Sequence, residues 1–92
     1  MSTLDHDTVR ARLGDLAGWE LDGDTIRREF TFDSFRAAID FINRIADLAE
    51  EANHHPELTN VYATVTVVLT SHDAGGVTEK DLDLAAAIDG VA

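Results

Sequence analysis

Two adjacent histidines, His54 and His55, stand before the only proline of the chain, in the segment EEANHHPE at residues 50–57. Adjacent side chains point to opposite faces of a strand and diverge by about 100° on a helix. In an irregular loop, however, both rings are free to face one pocket. A polar loop marked by proline is also ordinary protein surface, so the segment alone leaves both interpretations open.

A third histidine, His72, stands further along the chain, and Glu50, Glu57, Asp73 and Asp81 lie near the histidines in sequence. Three imidazoles could bind zinc or transfer protons, since imidazole is poised between its two protonation states near neutral pH. Zinc sites favour H-x-H on a strand or H-x-x-x-H on a helix, because these spacings aim both rings at one point. Adjacent histidines lack that aim. The spacing therefore favours acid–base chemistry over a metal site.

The composition of the chain narrows the classes of protein that fit. Ninety-two residues with 45% hydrophobic content predict one domain, residues 1–92, with enough apolar material to fold by itself. The absence of cysteine excludes disulfides, thiolate nucleophiles and cysteine-bearing zinc sites. No segment has the pattern of a signal peptide or a membrane span, so we expect a soluble cytoplasmic protein.

The charge of the chain is strongly negative. Eighteen acidic residues against seven lysines and arginines give a net charge of −11. Such a surface repels phosphate backbones, so we expect no nucleic-acid partner. The single lysine, Lys80, beside six arginines fits adaptation to a salt-rich cell or an arginine-favouring genome, which describes the host rather than the reaction.

The first part of the chain predicts a short helix followed by a hairpin. Thr3 or Asp5 is suited to cap the helix in TLDHDTVRARLGDL, and Gly14 is suited to end it. The dipeptide Asp22-Gly23 then separates two alternating segments, which is typical of a β-hairpin turn. His6 has no evident partner in the sequence and is expected to be solvated.

A long helix is predicted over residues 34–52, with Asp33 as its cap. Apolar residues recur at three- and four-residue steps along one face. The members of this stripe are Phe35, Ala38, Ile39, Ile42, Ile45, Ala46 and Ala49, widened by Phe41 and Leu48. This width fits either a deeply packed core helix or a helix that also contacts a partner subunit.

The last third of the chain predicts a strand and a helix. In NVYATVTVVLT, the residues Val61 to Leu69 alternate as one continuous strand, with His72 after its end. Thr78 and Asp81 then have capping-box spacing at the start of a final helix. The pattern gives the order α, ββ, α, β, α, with helices on one face of an antiparallel sheet.

The histidines also belong to a longer motif. The pattern Glu50-x3-His54-His55-Pro56-x5-Tyr62-x9-His72-x8-Asp81 resembles the signature of the pterin-4a-carbinolamine dehydratases. The similarity extends from about residue 3 to residue 89 and includes the hairpin that begins near Trp19. Agreement of several spaced motifs in one order is far more specific than two adjacent histidines.

The resemblance implies a particular fold and assembly. It implies a two-layer α+β domain with a four-stranded antiparallel sheet and helices packed on one face, in the order α-ββ-α-ββ-α. The single third strand would then be two, a short one near Leu58 and a long one after Tyr62. The family also forms homodimers or homotetramers, which would account for the wide apolar stripe of the second helix.

The resemblance implies an activity as well, the dehydration of 4a-hydroxytetrahydropterin to quinonoid dihydropterin. By match to the motif, His54, His55 and His72 would be catalytic. Glu50, Pro56 and Asp81 would be substrate-binding, although for both acids it is also open that they orient a histidine or have only a structural role at the end or the start of a helix.

The family reaction implies neither a metal nor a bound cofactor, because the pterin is the substrate. It implies a functional link to an aromatic amino acid hydroxylase, whose spent cofactor the reaction recycles. The alternative is a non-catalytic assembly factor or protein-binding module on the same fold, which the presence of all three histidines disfavours.

Overall fold

The computed structural model describes residues 2–92 and contains three helices and four strands. In chain order they are α1 His6–Leu13, β1 Glu20–Asp22, β2 Thr25–Thr31, α2 Phe35–Ala52, β3 Glu57–Val61, β4 Thr64–Leu69 and α3 Glu79–Asp89. All neighbouring strands are antiparallel, in the sheet order β1-β2-β4-β3. The α+β order predicted from the family resemblance is confirmed.

The core lies between the helices and one face of the sheet. Alternate residues of the central strands are buried, as the two-residue period of a strand requires. Ile26, Phe30, Val65, Val67 and Leu69 of the sheet form one cluster with Phe41 and Ile45 of α2 and Leu84 and Ile88 of α3. The other face of β4 presents Thr64, Thr66, Val68 and Thr70, which are only partly buried.

The continuous strand predicted from alternation alone is wrong at its beginning. Val61 pairs with Thr64, and Tyr62 and Ala63 form the turn between β3 and β4. Tyr62 has a left-handed backbone at φ 53°, which reverses the chain. The side-chain amide of Asn60 donates to the carbonyl oxygens of Tyr62 and Thr64 and so stabilises the turn. The turn breaks the alternation, which is why Val61 is exposed while Ala63 is buried.

The second helix differs from its prediction in its cap. Ser34, rather than Asp33, accepts the hydrogen bond from the backbone N–H of Ala37. The apolar stripe divides into two parts. Ala38, Phe41, Ile45 and Ala49 are buried, whereas Ile39 and Ile42 are partly buried and Phe35 and Ala46 are exposed. The stripe is therefore wider than the core of one chain uses.

The only tryptophan ties the beginning of the sheet to the end of the last helix. Trp19 is buried, and its indole N–H donates to Asp89 Oδ1 at 2.9 Å. Arg28 Nη1 donates to the same oxygen at 3.0 Å and lies over the ring of Phe30. These contacts fix the end of α3 against β2.

The topology brings the two histidine segments together at one end of the β3–β4 strand pair. Because β3 and β4 are antiparallel, Glu57 at the beginning of β3 pairs with Val68 near the end of β4. The loop before β3 carries His54 and His55, and the loop after β4 carries His72. Both loops therefore meet at the same end of this strand pair.

Within residues 2–92, no helix has the length and apolar character that a membrane span needs.

Candidate active site

A cleft of about 350 Å³ opens where these two loops meet the start of α3. Its walls include Asn53, His54, His55, Thr70, Ser71, His72 and Lys80. All three histidines predicted to be catalytic therefore border one cavity, although they come from two segments that are far apart in sequence.

The end of α2 determines how the first histidine enters the cleft. Asn53 has a left-handed backbone, with φ 51° and ψ 43°. The N–H of His54 donates to the carbonyl of Ala49, and the N–H of Asn53 donates to that of Glu50. These two bonds form a Schellman motif, which ends a helix by turning the chain sharply away from its axis. The turn directs His54 back toward α3 while the chain continues into β3.

His54 is held by a buried carboxylate. Its Nε2 lies 2.5 Å from Oδ1 of Asp81, and the Asp81 side chain has no exposed surface. The imidazole itself is 12% exposed and borders the cleft. Because a carboxylate oxygen accepts, the hydrogen in this bond belongs to Nε2. In the neutral ring this leaves Nδ1 as the free proton acceptor.

The same carboxylate caps α3. Oδ2 of Asp81 accepts from the backbone N–H of Thr78 and from the hydroxyl of Ser71, each at 2.9 Å. The hydroxyls of Ser71 and Thr78 are 2.8 Å apart. The capping box predicted from the Thr78–Asp81 spacing is confirmed. Asp81 thus has a structural role and also fixes one ring nitrogen of His54.

The second histidine has its own carboxylate, but in solvent. Nε2 of His55 lies 2.6 Å from Oε2 of Glu50, and the side chains are 60% and 78% exposed. His72 is exposed in the loop after β4, and the described residues provide no hydrogen bond to its ring. The three imidazoles therefore differ in environment: one is held and mostly buried, one is paired and exposed, and one is exposed without a hydrogen bond from the described residues.

The residues predicted to bind substrate have less direct positions. Glu50 and Pro56 flank the histidine pair on its α2 and β3 sides, and Asp81 lies behind His54; none of the three is part of the cleft wall. Their contact with substrate stays a prediction. His6 lies outside the site, and its Nε2 is 3.3 Å from Asp24 Oδ1, a partner that the sequence did not suggest.

Sequence reasoning did not identify three residues that shape the site. Asn53 carried a usable signal, because asparagine tolerates the left-handed conformation at the end of a helix. Ser71 precedes His72, but its bond to Asp81 follows from the bridge between Ser71 and Gly76, which no local pattern predicts. Lys80 is the only lysine of the chain and borders the cleft.

Residues 2–92 contain no group of three or more His, Cys, Asp or Glu side chains placed to hold a metal ion.

Comparison with known proteins shows which family the chain belongs to. A family profile described as pterin 4 alpha carbinolamine dehydratase matches residues 2–91. The chain belongs to the pterin-4-alpha-carbinolamine dehydratase family.

Bacterial relatives of the dehydratase family cover nearly the whole chain. A protein of Thermomicrobium roseum, provisionally named a pterin-4-alpha-carbinolamine dehydratase, is 48% identical over 92% of this chain and 91% of its own length. A protein of Rhodopseudomonas palustris with the same provisional name is 56% identical over 87% and 81%.

Two solved structures have the same fold as this chain. A transcriptional coactivator/pterin dehydratase from Brucella melitensis superposes with a TM-score of 0.94 and 36% identity over 99% of both chains. A pterin dehydratase-like protein, described as a RuBisCO assembly factor in the alpha-carboxysome, superposes with a TM-score of 0.65. It is 23% identical over 79% of this chain and 84% of its own, a similarity that supports the fold alone.

Proposed function

We propose that this protein removes water from 4a-hydroxytetrahydropterin to give quinonoid dihydropterin, by acid–base catalysis with His54, His55 and His72. The observation that carries the proposal is the convergence of these three imidazoles on one cleft, one of them fixed by a buried carboxylate. Membership of the dehydratase family supports the choice of substrate.

The reaction needs two proton transfers at neighbouring atoms. The bond between C4a and its hydroxyl oxygen breaks, and the oxygen gains a proton and leaves as water. The proton on N5 is removed, and the electrons of the N–H bond form the double bond between N5 and C4a. No electron is gained or lost overall, so one acid and one base are sufficient.

The geometry suits the three histidines to different roles. In the neutral His54 ring, the bond from Nε2 to Asp81 leaves Nδ1 to accept the N5 proton. His55 and His72 are exposed at the mouth of the cleft and are the candidates to protonate the leaving hydroxyl. Fixing the base before substrate arrives lowers the cost of reaching the reactive geometry.

The test is turnover of synthetic 4a-hydroxytetrahydropterin, followed against its spontaneous dehydration. We expect acceleration by the wild-type protein, and a loss of about 100-fold or more in kcat/KM for His54→Ala and for His55→Ala. We expect His72→Ala also to lower kcat/KM, and His6→Ala to have no effect. Wild-type rates in both His54→Ala and His55→Ala would contradict the mechanism.

The same assay separates the proposal from its alternatives. A purified protein without zinc, whose rate is unchanged in chelator, is expected; activity lost in EDTA and restored by zinc would replace the acid–base mechanism. A folded protein with no turnover of any 4a-hydroxytetrahydropterin would favour a non-catalytic assembly or binding role. We also propose, from the family resemblance, that the reaction recycles the cofactor of an aromatic amino acid hydroxylase.

A further inference from the structure

A second groove, of about 400 Å³, lies between the end of α2 and the beginning of α3. It shares His54 and Lys80 with the catalytic cleft. The two cavities therefore adjoin at the histidine that we assign as the base. No step of the proposed reaction uses this groove.

The chemistry of the substrate connects the groove to the cleft. In a pterin, the atom bonded to N5 on the side away from C4a is C6, and C6 carries the substituent that distinguishes natural pterins. A ring that presents N5 to His54 places C6 one bond from the atom facing that imidazole. We propose that the groove between α2 and α3 binds the C6 substituent, an inference that rests on the proposed function.

The walls of the groove suit a short substituent with an apolar part. Leu48 and Ala52 line it from α2, and Leu84 and Ala87 line it from α3. Leu84 is 3% exposed and belongs to the core, so this wall is rigid, whereas Ala87 is exposed at its rim. Small side chains at Ala52 and Ala87 leave the space open. An alkyl or hydroxyalkyl chain would bury its carbon atoms there.

The charges of the groove select against acidic substituents. Glu51 of α2 and Asp83 of α3 border the groove, and Lys80 is the only lysine or arginine among its lining residues. Two carboxylates against one ammonium, on a chain of net charge −11, give a negative field. The groove therefore takes an uncharged hydroxyalkyl substituent and disfavours a tail that carries carboxylates.

The experiment fills the groove and compares substrates. Ala87→Phe places a ring in the groove, and Ala86→Phe is the matched control. Ala86 is also exposed on α3 but borders a different depression beside Arg12 and Leu16. Dehydration is measured for 4a-hydroxytetrahydropterins with 6-methyl and with 6-dihydroxypropyl substituents. We expect Ala87→Phe to lower the ratio of kcat/KM for dihydroxypropyl over methyl about tenfold, the size expected for a few carbon atoms in a pocket. Ala86→Phe should leave this ratio unchanged.

A ratio that is the same in Ala87→Phe and in the wild type would overturn the proposal, and so would an equal change in Ala86→Phe.

Selection against acidic substituents is tested with a 6-substituted substrate that ends in a glutamate. Glu51→Gln should raise its kcat/KM relative to the methyl substrate about two- to fivefold at low salt, as for one exposed charge, and Asp40→Asn on the same helix should not. Equal effects of the two variants would remove the charge selection.

A binding measurement separates this inference from the proposed function. Titration calorimetry with 7,8-dihydropterins carrying the same substituents tests the groove without turnover. If the pterins bind in the expected order but are not dehydrated, the catalytic proposal is rejected and the proposal that the groove binds the C6 substituent is retained. Turnover that is insensitive to the C6 substituent would reject the groove and keep the catalysis. Absence of binding by both pterins would reject the groove.

Discussion

The carboxylate of Asp81 is shared between the start of a helix and a side chain of the cleft. One oxygen accepts from Thr78 and Ser71, and the other accepts from His54. With no exposed surface, this carboxylate has only these protein donors to replace the water it loses on folding. Removal of any one donor should therefore lower the free energy of unfolding and also loosen the position of the Asp81 carboxylate.

The two adjacent histidines should differ in their effect on stability. His54→Ala removes a donor from a buried carboxylate, so we expect the free energy of unfolding to fall by about 1–3 kcal/mol. His55→Ala breaks a pair that is mostly exposed, and we expect hardly any change. Urea denaturation of both variants at one pH measures the difference. Equal stabilities would show that the Asp81 contact with His54 contributes nothing to folding.

At the scale of elements, the turn at the end of α2 is the feature that orients His54 in the site. Asn53→Ala replaces a residue that tolerates the left-handed backbone with one for which this conformation costs about 1–2 kcal/mol. We expect lower stability and a lower kcat, because relaxation of this turn moves His54 away from Asp81. Asn53→Gly is the control, since glycine adopts this conformation readily and should keep kcat close to the wild type. A normal kcat in Asn53→Ala would separate the turn from catalysis.

A second link between elements gives the chain a dependence on pH. Nη1 and Nη2 of Arg12 in α1 donate to the carboxylate of Glu79 at the start of α3, at 2.6 and 2.9 Å. These hydrogen bonds lower the pKa of Glu79 below its ordinary value of 4.5. The stabilisation is thus present above pH 4.5 and is lost as the pH falls through the lowered pKa.

Glu79→Gln should therefore lose less stability than the wild type as the pH falls through that range. The difference should shrink in high salt because the pair is exposed. Thermal unfolding between pH 6 and pH 3, run beside Glu20→Gln as the control, measures it. The same slope in Glu79→Gln and in the wild type would exclude a contribution of this pair.

Sequence patterns predicted elements better than they predicted connections. The helices and the first hairpin follow from apolar period, capping residues and Asp22-Gly23. The β3–β4 turn does not, because Tyr62 lacks the usual preference for a left-handed backbone and is held by Asn60; only the family resemblance predicted two strands. The three histidines were predicted for the site, whereas the contact between Ser71 and Asp81 depends on tertiary packing.

At the scale of the whole molecule, the surface of one chain leaves apolar side chains in solvent. Phe35 is 50% exposed at the beginning of α2, and Val61 and Tyr62 are 69% and 75% exposed in and beside the β3–β4 turn. The N–H of Phe32 donates to the carbonyl of Ala63, so this turn lies near the beginning of α2. These residues support the homodimer or homotetramer predicted from the family resemblance.

We expect light scattering after gel filtration to give a mass of two or four chains, and Phe35→Asp to reduce it. Arg44→Asp is the control, because nine steps of about 100° place Arg44 on the opposite side of α2. A wild-type protein that elutes at the mass of one chain would contradict the prediction. Because the net charge of −11 opposes association, the larger species should be favoured by added salt.

The tryptophan contact provides the molecule with an optical reporter. Trp19 is the only indole in the chain, and it is bonded to Asp89 in the last turn of α3, whereas Asp81 lies in the first turn of the same helix. Detachment of α3 would expose the indole to solvent and shift its emission to longer wavelength. A variant with a damaged cleft but an unshifted spectrum has lost chemistry while the end of α3 stays docked. Fluorescence can thus distinguish an inactive protein from an unfolded one in the same cuvette as the assay.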